Sequence, residues 1–520
     1  MDWNEYLYFK IKEKLEKNPG KAIFKISDPD ENIIPLDNQT VADQIEMYSS
    51  ILADYNGKIC VIYHGVDEKL VGFIIAAFRC HVKILIRRTT LDFKEELRDD
   101  LLFLQEILPI QLAFVDENMQ QTNFEMIEDR DGILILNTND SNKENVEFKY
   151  DFIQLSSGTT DSSKAFCLTI EGLIKSAEHI QDVHHVSEES IFLSYLTLSH
   201  IYGFVSGFLL PLISGATGVF CKTSYIKNNP TLLFEILSSE KVTHASVIMN
   251  TLLLGLKEKN AQWDLSELVC ASLGGEKVDM STYEFLLNEM TGLGMPKNAL
   301  VNSYGMSEKG SITMEDPAVG NCLYKKDNKG FVSVGNDKYI DTEIIVFDEK
   351  FNIVSEGIEG MIGVHSPYLS KFYFNKGRIY DLKTITIDNK EYYHNGDCGF
   401  INAGKVFVTG RKVNTITYNG LKIAAEILNE SIGKLLNDYG VTVKRCFCFN
   451  YPEWVNYVVC FVDYDQKIEN GIFEDIKQRV LNEYHVDICD FWVDDYNGHG
   501  IGKISLPDII TKYTLHMKEE

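Results

Sequence analysis

Four short stretches of the chain gather residue types that could do chemistry. The first is Leu155-Ser-Ser-Gly-Thr-Thr-Asp-Ser-Ser-Lys-Ala-Phe166. Backbone N–H groups and hydroxyls in such a loop can wrap phosphate oxygens, while Lys164 adds a point charge. Clusters of Ser, Thr, Asp and Gly are also ordinary polar turns, and taken alone the stretch favours that plainer reading. In the second, Asn302-Ser-Tyr-Gly-Met-Ser-Glu308, Tyr304 could offer a ring face to a base and Glu308 an oxygen ligand to Mg²⁺. The third joins Tyr393-His-Asn-Gly-Asp397 to Val408-Thr-Gly-Arg411. Here a carboxylate could accept from both hydroxyls of a ribose and an Arg could reach the sugar or its phosphate. Asn-Gly-Asp is equally a common hairpin turn. The fourth, Gly498-His-Gly-Ile-Gly-Lys503, departs from a Walker A loop: Asn497 stands at its first Gly position and Ile504 at its Ser/Thr. It reads instead as a flexible turn that swings one Lys inward.

Elements of α/β type must position these stretches. Apolar runs such as Ile59–Tyr63 read as buried strands, and Leu70–Arg79 and Phe93–Leu108 carry helical periodicity. Strand, helix and strand alternate to about residue 320, which predicts parallel sheets with crossover helices. The phosphate-type loop follows the apolar run Phe152–Leu155 and precedes a helix beginning near Thr169. From Phe331 to Val408 the texture changes to short strands with Gly and Asn-Gly turns, among them Thr342–Phe347 and Gly363–His365. Beyond Gly410 the spacing is βαβ-like, with Tyr457–Val462 as a strand and Phe473–Glu483 as a helix. The division expected is a large N-terminal unit over residues 1–410, built of two α/β subdomains and a small β-rich one near 331–408. A smaller α+β C-terminal unit over 411–520 completes it.

Composition narrows the class. The 520 residues carry 50 Lys plus Arg against 76 Asp plus Glu, a formal charge of −26. That balance argues against a main task of wrapping nucleic acid or lying on anionic lipid. The chain is 45% hydrophobic and 24% charged, ordinary globular material. Its length allows roughly three or four units at about 150 residues each. Eleven cysteines are scattered without a C-x-x-C pair, which suits a reducing compartment and argues against zinc. The N-terminus shows neither a basic nor an apolar signal region, so a cytoplasmic location is expected. Ser190 to Cys221 holds no Asp, Glu, Lys or Arg, yet Pro211 and four glycines interrupt it. It reads as a buried strand, turn and helix rather than a membrane span.

Taken in order, the stretches resemble the adenylate-forming superfamily of acyl-CoA synthetases, adenylation domains, luciferases and fatty acyl-AMP ligases, over about residues 20 to 510. Ser156 to Lys164 matches its phosphate loop, and Leu196-Thr-Leu-Ser-His-Ile-Tyr-Gly203 is similar to its acid-pocket motif. Gly274-Gly275-Glu276 resembles the adenine-side strand end, Tyr304 to Glu308 the "Y-G-x-T-E" motif, and Asn395-Gly-Asp397 the "T-G-D" motif. Gly410-Arg411 resembles the "G-R" before the hinge, and Gly502-Lys503 the mobile catalytic Lys. Within the superfamily, Phe152-Ile-Gln-Leu-Ser-Ser-Gly is closest in texture to fatty acyl-AMP ligases.

The resemblance implies ATP and Mg²⁺ as cofactors and activation of a carboxylic acid to acyl-AMP. Ser156, Ser157, Gly158, Thr159, Thr160 and Lys164 would hold phosphates; Gly274, Gly275, Glu276, Ser303, Tyr304, Gly305 and Met306 would line the adenine side. Ser307 would lie near the α-phosphate, Asp397 and Arg411 at the ribose, and Glu308 with Thr160 at the metal. Lys503 and Glu308 would be catalytic, joined by His200, which is equally well explained as a core histidine. Ser199-His200-Ile201 stands where amino-acid adenylating domains place an Asp, so the expected acid lacks an α-amino group. The acceptor is either a carrier protein's phosphopantetheine thiol or CoA. Amino-acid adenylation, and a catalytically weak adenylate-binding protein, remain further alternatives. The second is motivated by Asp161 in the phosphate loop, by Asn414 beside the hinge residue Val413, and by Leu506 after the Lys. Nothing in the sequence argues for an oligomer.

Overall fold

Parallel strands buried on both faces need continuous apolar runs, and this chain supplies them in two large sheets. A computed structural model describes residues 2–17, 20–28, 30, 32–87, 94–115, 126–130, 133–136, 149–155, 164–258, 260, 262–326, 329–411, 415–419, 421–441, 443, 445–451, 454, 456–464, 468–494 and 506–519. The first sheet has nine strands, with Ile59–Tyr63 in its interior between parallel Lys83–Ile86 and Leu112–Val115. Phe152–Leu155 (β1) extends it in parallel, and Ala165–Leu168 (β2) returns antiparallel to β1. Phe372–Asn375 and Arg378–Asp381 close that edge. All five residues of Ile59–Tyr63 are buried, as the apolar run requires.

After β2 the chain enters a helix, Ile170–His184 (α1), capped by the Thr169 side chain accepting from Gly172 N–H. The second sheet, of eight strands, then forms from Ile191–Ser194 (β3), His244–Val247 (β4), Cys270–Leu273 (β5) and Leu300–Met306 (β6), all parallel. Gly310–Met314 (β7) turns back antiparallel to β6. Between β3 and β4 lies a seven-residue π-helix, Gly203–Leu209, fully buried and continued by the short helix Leu210–Ser214. The charge-free segment 190–221 is therefore strand, π-helix, helix and strand within a packed core. No helix among the described residues is long and apolar enough to cross a membrane.

A third, seven-stranded sheet follows and is antiparallel throughout. Lys390–Tyr393 (β8), Asp397–Asn402 (β9) and Lys405–Arg411 (β10) belong to it. The last region builds cores of its own. Helix Ala425–Asp438 (α2) and Asn470–Tyr484 pack on one face of the sheet formed by Arg445–Asn450, Val458–Asp463 and Asp490–Asp494. On the other face Phe449, Tyr451, Trp492 and Tyr513 make a separate aromatic cluster, with Trp454 at its edge and 48% exposed. Val458–Asp463, the strand between these cores, is buried along its whole length. Burying apolar area twice on so short a sheet is how a unit this small stabilises itself.

Among the described residues of the large unit four histidines are buried, His64, His179, His184 and His244. His179 stacks on Tyr339 with ring centroids 3.6 Å apart, and His244 donates from Nε2 to the His184 carbonyl at 2.9 Å. Burial holds the imidazoles of the last three neutral, bringing His179 and His184 down to about 3 and His244 to about 4. All eleven cysteines are free thiols.

Candidate active site at the strand ends

The C-terminal ends of parallel strands are where open α/β sheets gather ligand-binding groups. Here the ends of β5 and β6 meet two antiparallel hairpins, β6–β7 and β9–β10. Each hairpin carries a register shift, between Tyr304 and Gly305 in one and between Cys398 and Gly399 in the other. Bulges of this kind re-aim single side chains beside functional sites. A Cβ at Gly305 would lie 2.7 Å from the Gly310 carbonyl, so the first bulge has no room for a side chain there.

The two acids picked out by the sequence are both buried, Glu308 at 7% and Asp397 at 6% exposure. Each has a tyrosine partner. Tyr304 donates from its hydroxyl to Asp397 Oδ2 at 2.6 Å, and Tyr393 donates to Glu308 Oε1 at 2.6 Å. Asn395 Nδ2 donates to the same Asp397 oxygen at 2.8 Å, while Asp397 N–H returns to Asn395 Oδ1 at 3.0 Å. Gly396, with φ of +90°, makes that tight reciprocal pair possible, because a side chain would resist the left-handed backbone. Arg411 lies directly across the ladder from Asp397. The Glu308 carbonyl accepts from Ser370 N–H at 2.8 Å, tying the β6–β7 turn to the segment leading into Phe372–Asn375.

The remaining predicted residues fall around these pairs. Ser303 Oγ donates to the Leu273 carbonyl at 2.8 Å, bridging β5 and β6 just before Gly274. A Cβ on Gly274 would come within 2.8 Å of the Tyr202 ring and 3.0 Å of Ser303 Oγ. Gly275 is exposed and Glu276 half-buried; Met306 is buried in the core and Ser307 half-buried after it. His200 is half-buried, and its Nδ1 accepts from Tyr202 N–H at 3.3 Å. Gln154, within β1, reaches the Ser199 carbonyl with Nε2 at 3.0 Å and so links the strand that leads into the phosphate-type loop to the His200 stretch. Lys164 Nζ stands 5.0 Å from the centre of the Tyr373 ring, a cation–π contact at the return of that loop. Ser156, Ser157, Gly158, Thr159, Thr160, Asp161, Val413, Asn414 and Lys503 lie outside the described residues.

Sequence reasoning quoted Tyr393 and Asn395 without giving either a role. Their hydrogen bonds to Glu308 and Asp397 join residues 85 and 2 positions apart. Just beyond Glu276, Lys277 Nζ lies 3.5 Å from Glu430 on α2. Burial raises the Glu430 carboxyl, against the pull of the Lys277 charge. No group of three or more His, Cys, Asp or Glu gathers to hold a metal among the described residues. One hard carboxylate, Glu308, nevertheless fits Mg²⁺, which keeps waters and takes further ligands from a substrate's phosphates.

Among curated proteins, the chain is 24% identical over 372 residues to the medium-chain-fatty-acid–[acyl-carrier-protein] ligase TtuA of Teredinibacter turnerae, covering 64% of this chain and 57% of that one. It is 25% identical over 311 residues to the nonribosomal peptide synthetase ucdA of Aspergillus ustus, covering 54% of this chain and 32% of that protein. The chain thus spans well under two thirds of the length of both relatives. Among solved structures, a fatty acyl-adenylate ligase from work on the E. coli and L. pneumophila enzymes superposes with a TM-score of 0.78 at 14% identity, covering 98% of each chain. That likeness establishes the fold, a large N-terminal and a small C-terminal domain of mixed α/β type. Residues 52–374, more than half of the sequence, match the family described as AMP-binding enzyme, and the chain belongs to that family.

Proposed function

We propose that the chain uses ATP to activate a carboxylic acid without an α-amino group, fatty acids included, and passes the acyl group to the phosphopantetheine thiol of a carrier protein. The observation that carries this reading is the pair of buried carboxylates, Glu308 and Asp397, each held by a tyrosine at the strand ends of an AMP-binding family member. Support for the carrier comes from relatives named as carrier-protein ligases, TtuA among them. Support for an acid without an amino group comes from Ser199-His200-Ile201, which offers no carboxylate to an ammonium.

In the first step an acid oxygen attacks the α-phosphorus, the bond to the β-phosphate breaks, and pyrophosphate leaves. Both reactants are anions, so the site must offset charge and hold them in line. Bound Mg²⁺ would neutralise phosphate charge beside Glu308. Asp397, held by Asn395 and Tyr304, would accept from the ribose hydroxyls and fix the nucleoside. Lys164, together with Ser156 to Thr160, would hold the outer phosphates. Lys503 would bridge the acid and the α-phosphate. In the second step the thiol sulfur attacks the acyl carbon, AMP leaves, and the thiol proton passes to solvent.

The test is acid-dependent ATP–pyrophosphate exchange over fatty, hydroxy, aryl and amino acids, followed by transfer to a holo-carrier protein or to CoA. Exchange with one acid class and transfer to the carrier is the expected result. Lys503→Ala is expected to lower exchange by about 10²–10³-fold, the loss of one preorganised donor. Transfer to CoA alone would make the chain an acyl-CoA ligase. Silence across the panel with ATP still bound would make it an adenylate-binding protein.

A further inference from the structure

The face of the second sheet beneath the π-helix is unlike the rest of the core. Ser194 of β3 stands directly beside Ser246 of β4, and Ser246 directly beside Ser272 of β5. The three are 0%, 1% and 4% exposed, at positions where a parallel sheet covered on both faces ordinarily carries Val, Ile or Leu. Buried hydroxyls are costly unless bonded. Ser194 Oγ accepts from Leu196 N–H at 3.4 Å, and the other two meet the helix or the next strand. Ser246 Oγ bonds to Ser206 Oγ at 2.8 Å, and Ser272 Oγ to Ser303 Oγ at 3.3 Å. Ser206 Oγ in turn bonds to the Tyr202 carbonyl at 2.6 Å.

Over Ser194 the helix backbone lies almost on the sheet. A Cβ on Gly207 would come within 2.5 Å of Ser194 Oγ and 2.6 Å of its Cβ. No chain of atoms passes between helix and sheet there. Tyr202 seals the end of the row nearest the nucleotide residues. Its ring lies over Gly274, where an added Cβ would meet it at 2.8 Å, and its hydroxyl donates to the Ser272 carbonyl at 2.8 Å. Exposure steps down across this boundary. Gly275 is exposed, Tyr202, Ser303 and Tyr304 are half-buried, and the serines beyond are buried. π-Helical turns are rare and recur at functional sites, and this one brings Tyr202 and Ser206 onto neighbouring strands at once.

We infer that Tyr202 is the floor of the acid pocket and that the chain therefore takes a compact carboxylic acid, a few carbons long or a single ring, rather than a long acyl chain. This rests on the adenylation reading and on the resemblance that places the acid along Leu196–Gly203. The row of serines behind Tyr202 is bonded shut, so a longer tail has nowhere to continue without breaking hydroxyl contacts in a buried layer. Tyr202 is thus a specificity-determining residue for the acid rather than for ATP.

The test is binding of straight-chain acyl sulfamoyladenosines, acetyl through myristoyl, to the full chain by calorimetry. While a chain fits, each added methylene is worth about 0.8 kcal/mol, roughly fourfold in affinity. The expected result is a rise over the first few members and then a fall of at least about tenfold. Tyr202→Ala is expected to move that break to longer chains. Tyr202→Phe, which keeps the ring and loses only the bond to Ser272, is expected to leave the break in place. Tight binding of the lauroyl or myristoyl analogue by the wild-type chain would overturn the inference and leave adenylation standing. So would a break that stays put in a folded Tyr202→Ala variant. Failure to bind any member, with ATP also failing to support exchange for any acid, would sink the adenylation reading and this inference with it.

Discussion

The strand ends around Glu308 and Asp397 and the layer beneath the π-helix handle polar groups in opposite ways. Around Glu308 and Asp397 the partners come from strands 85 and 93 residues away, and they fix two carboxylates at the mouth of the sheet. Under the π-helix, hydroxyl meets hydroxyl across 40 and 31 residues; the first bond ties the helix to β4 and the second ties β5 to β6. Both regions are buried and hydrogen-bonded, yet one holds charge where a ligand can reach it and the other leaves no room for one. Burial of polar atoms is therefore not a mark of a binding site by itself. What distinguishes the two is whether the bonded groups carry net charge and stand at the edge of the exposed strand ends.

The sharpest way to break the strand-end arrangement is Asp397→Ala. Losing charge-assisted bonds to a ribose should cost about 3 kcal/mol, roughly a hundredfold rise in KM for ATP, with KM for the acid nearly unchanged. An equal rise in both constants would show that Asp397 holds the whole strand end rather than the nucleoside. The layer beneath the π-helix should break as structure instead. Gly207→Ala pushes a Cβ into Ser194, and overpacking of this kind should cost about 2 kcal/mol of folding stability, read from denaturant midpoints. Unchanged stability would mean that the helix can lift off the sheet.

Protonation sharpens the comparison from outside both regions. His179, His184 and His244 are held well below the ordinary 6.5, so between about pH 6.5 and 4 the unfolded chain binds protons that the native chain refuses. Stability contributed by these groups is fully present above 6.5 and is lost as pH falls. From pH 7 to 5 each should cost about 2 kcal/mol. Denaturant titrations at those two pH values check this, and His244→Gln should flatten the dependence by about one such share. The smallest effect expected is Tyr393→Phe. It removes one hydrogen bond to Glu308, about 1 kcal/mol, and should raise the Mg²⁺ concentration for half-maximal exchange roughly fivefold. No change in Mg²⁺ dependence would leave Tyr393 a packing residue only.

Much of the fold was legible because local pattern and tertiary burial agree. Ile59–Tyr63 and Thr342–Phe347 read as strands to the residue, since both are apolar runs ended by turn-forming segments. The helix read over Phe473–Glu483 begins earlier, at Asn470, where the polar first turn carries no periodic signal. The π-helix was not legible. Its sequence is apolar almost all round, so nothing in the spacing separates a bond to the fifth residue from one to the fourth. In the site, residue types at short spacing pointed to Tyr304, Glu308 and Asp397. The pairing of Tyr393 with Glu308 was hidden, because only the folding of one hairpin against another brings them together. The serine row was equally hidden, since Ser194, Ser246 and Ser272 share nothing along the chain and are neighbours only in register.

The aromatic cluster of the C-terminal unit has a consequence for spectroscopy. Of the chain's four tryptophans, Trp454 and Trp492 belong to that small unit, whereas Trp3 and Trp263 lie elsewhere, and none is among the strand-end residues of the site. Trp454, nearly half exposed and edge-on to Tyr451 and Tyr457, should emit to the red of Trp492, which lies beneath Tyr513 and Phe461. Without any label, intrinsic fluorescence should therefore follow the C-terminal unit as it turns or melts, while remaining nearly blind to nucleotide settling at the strand ends.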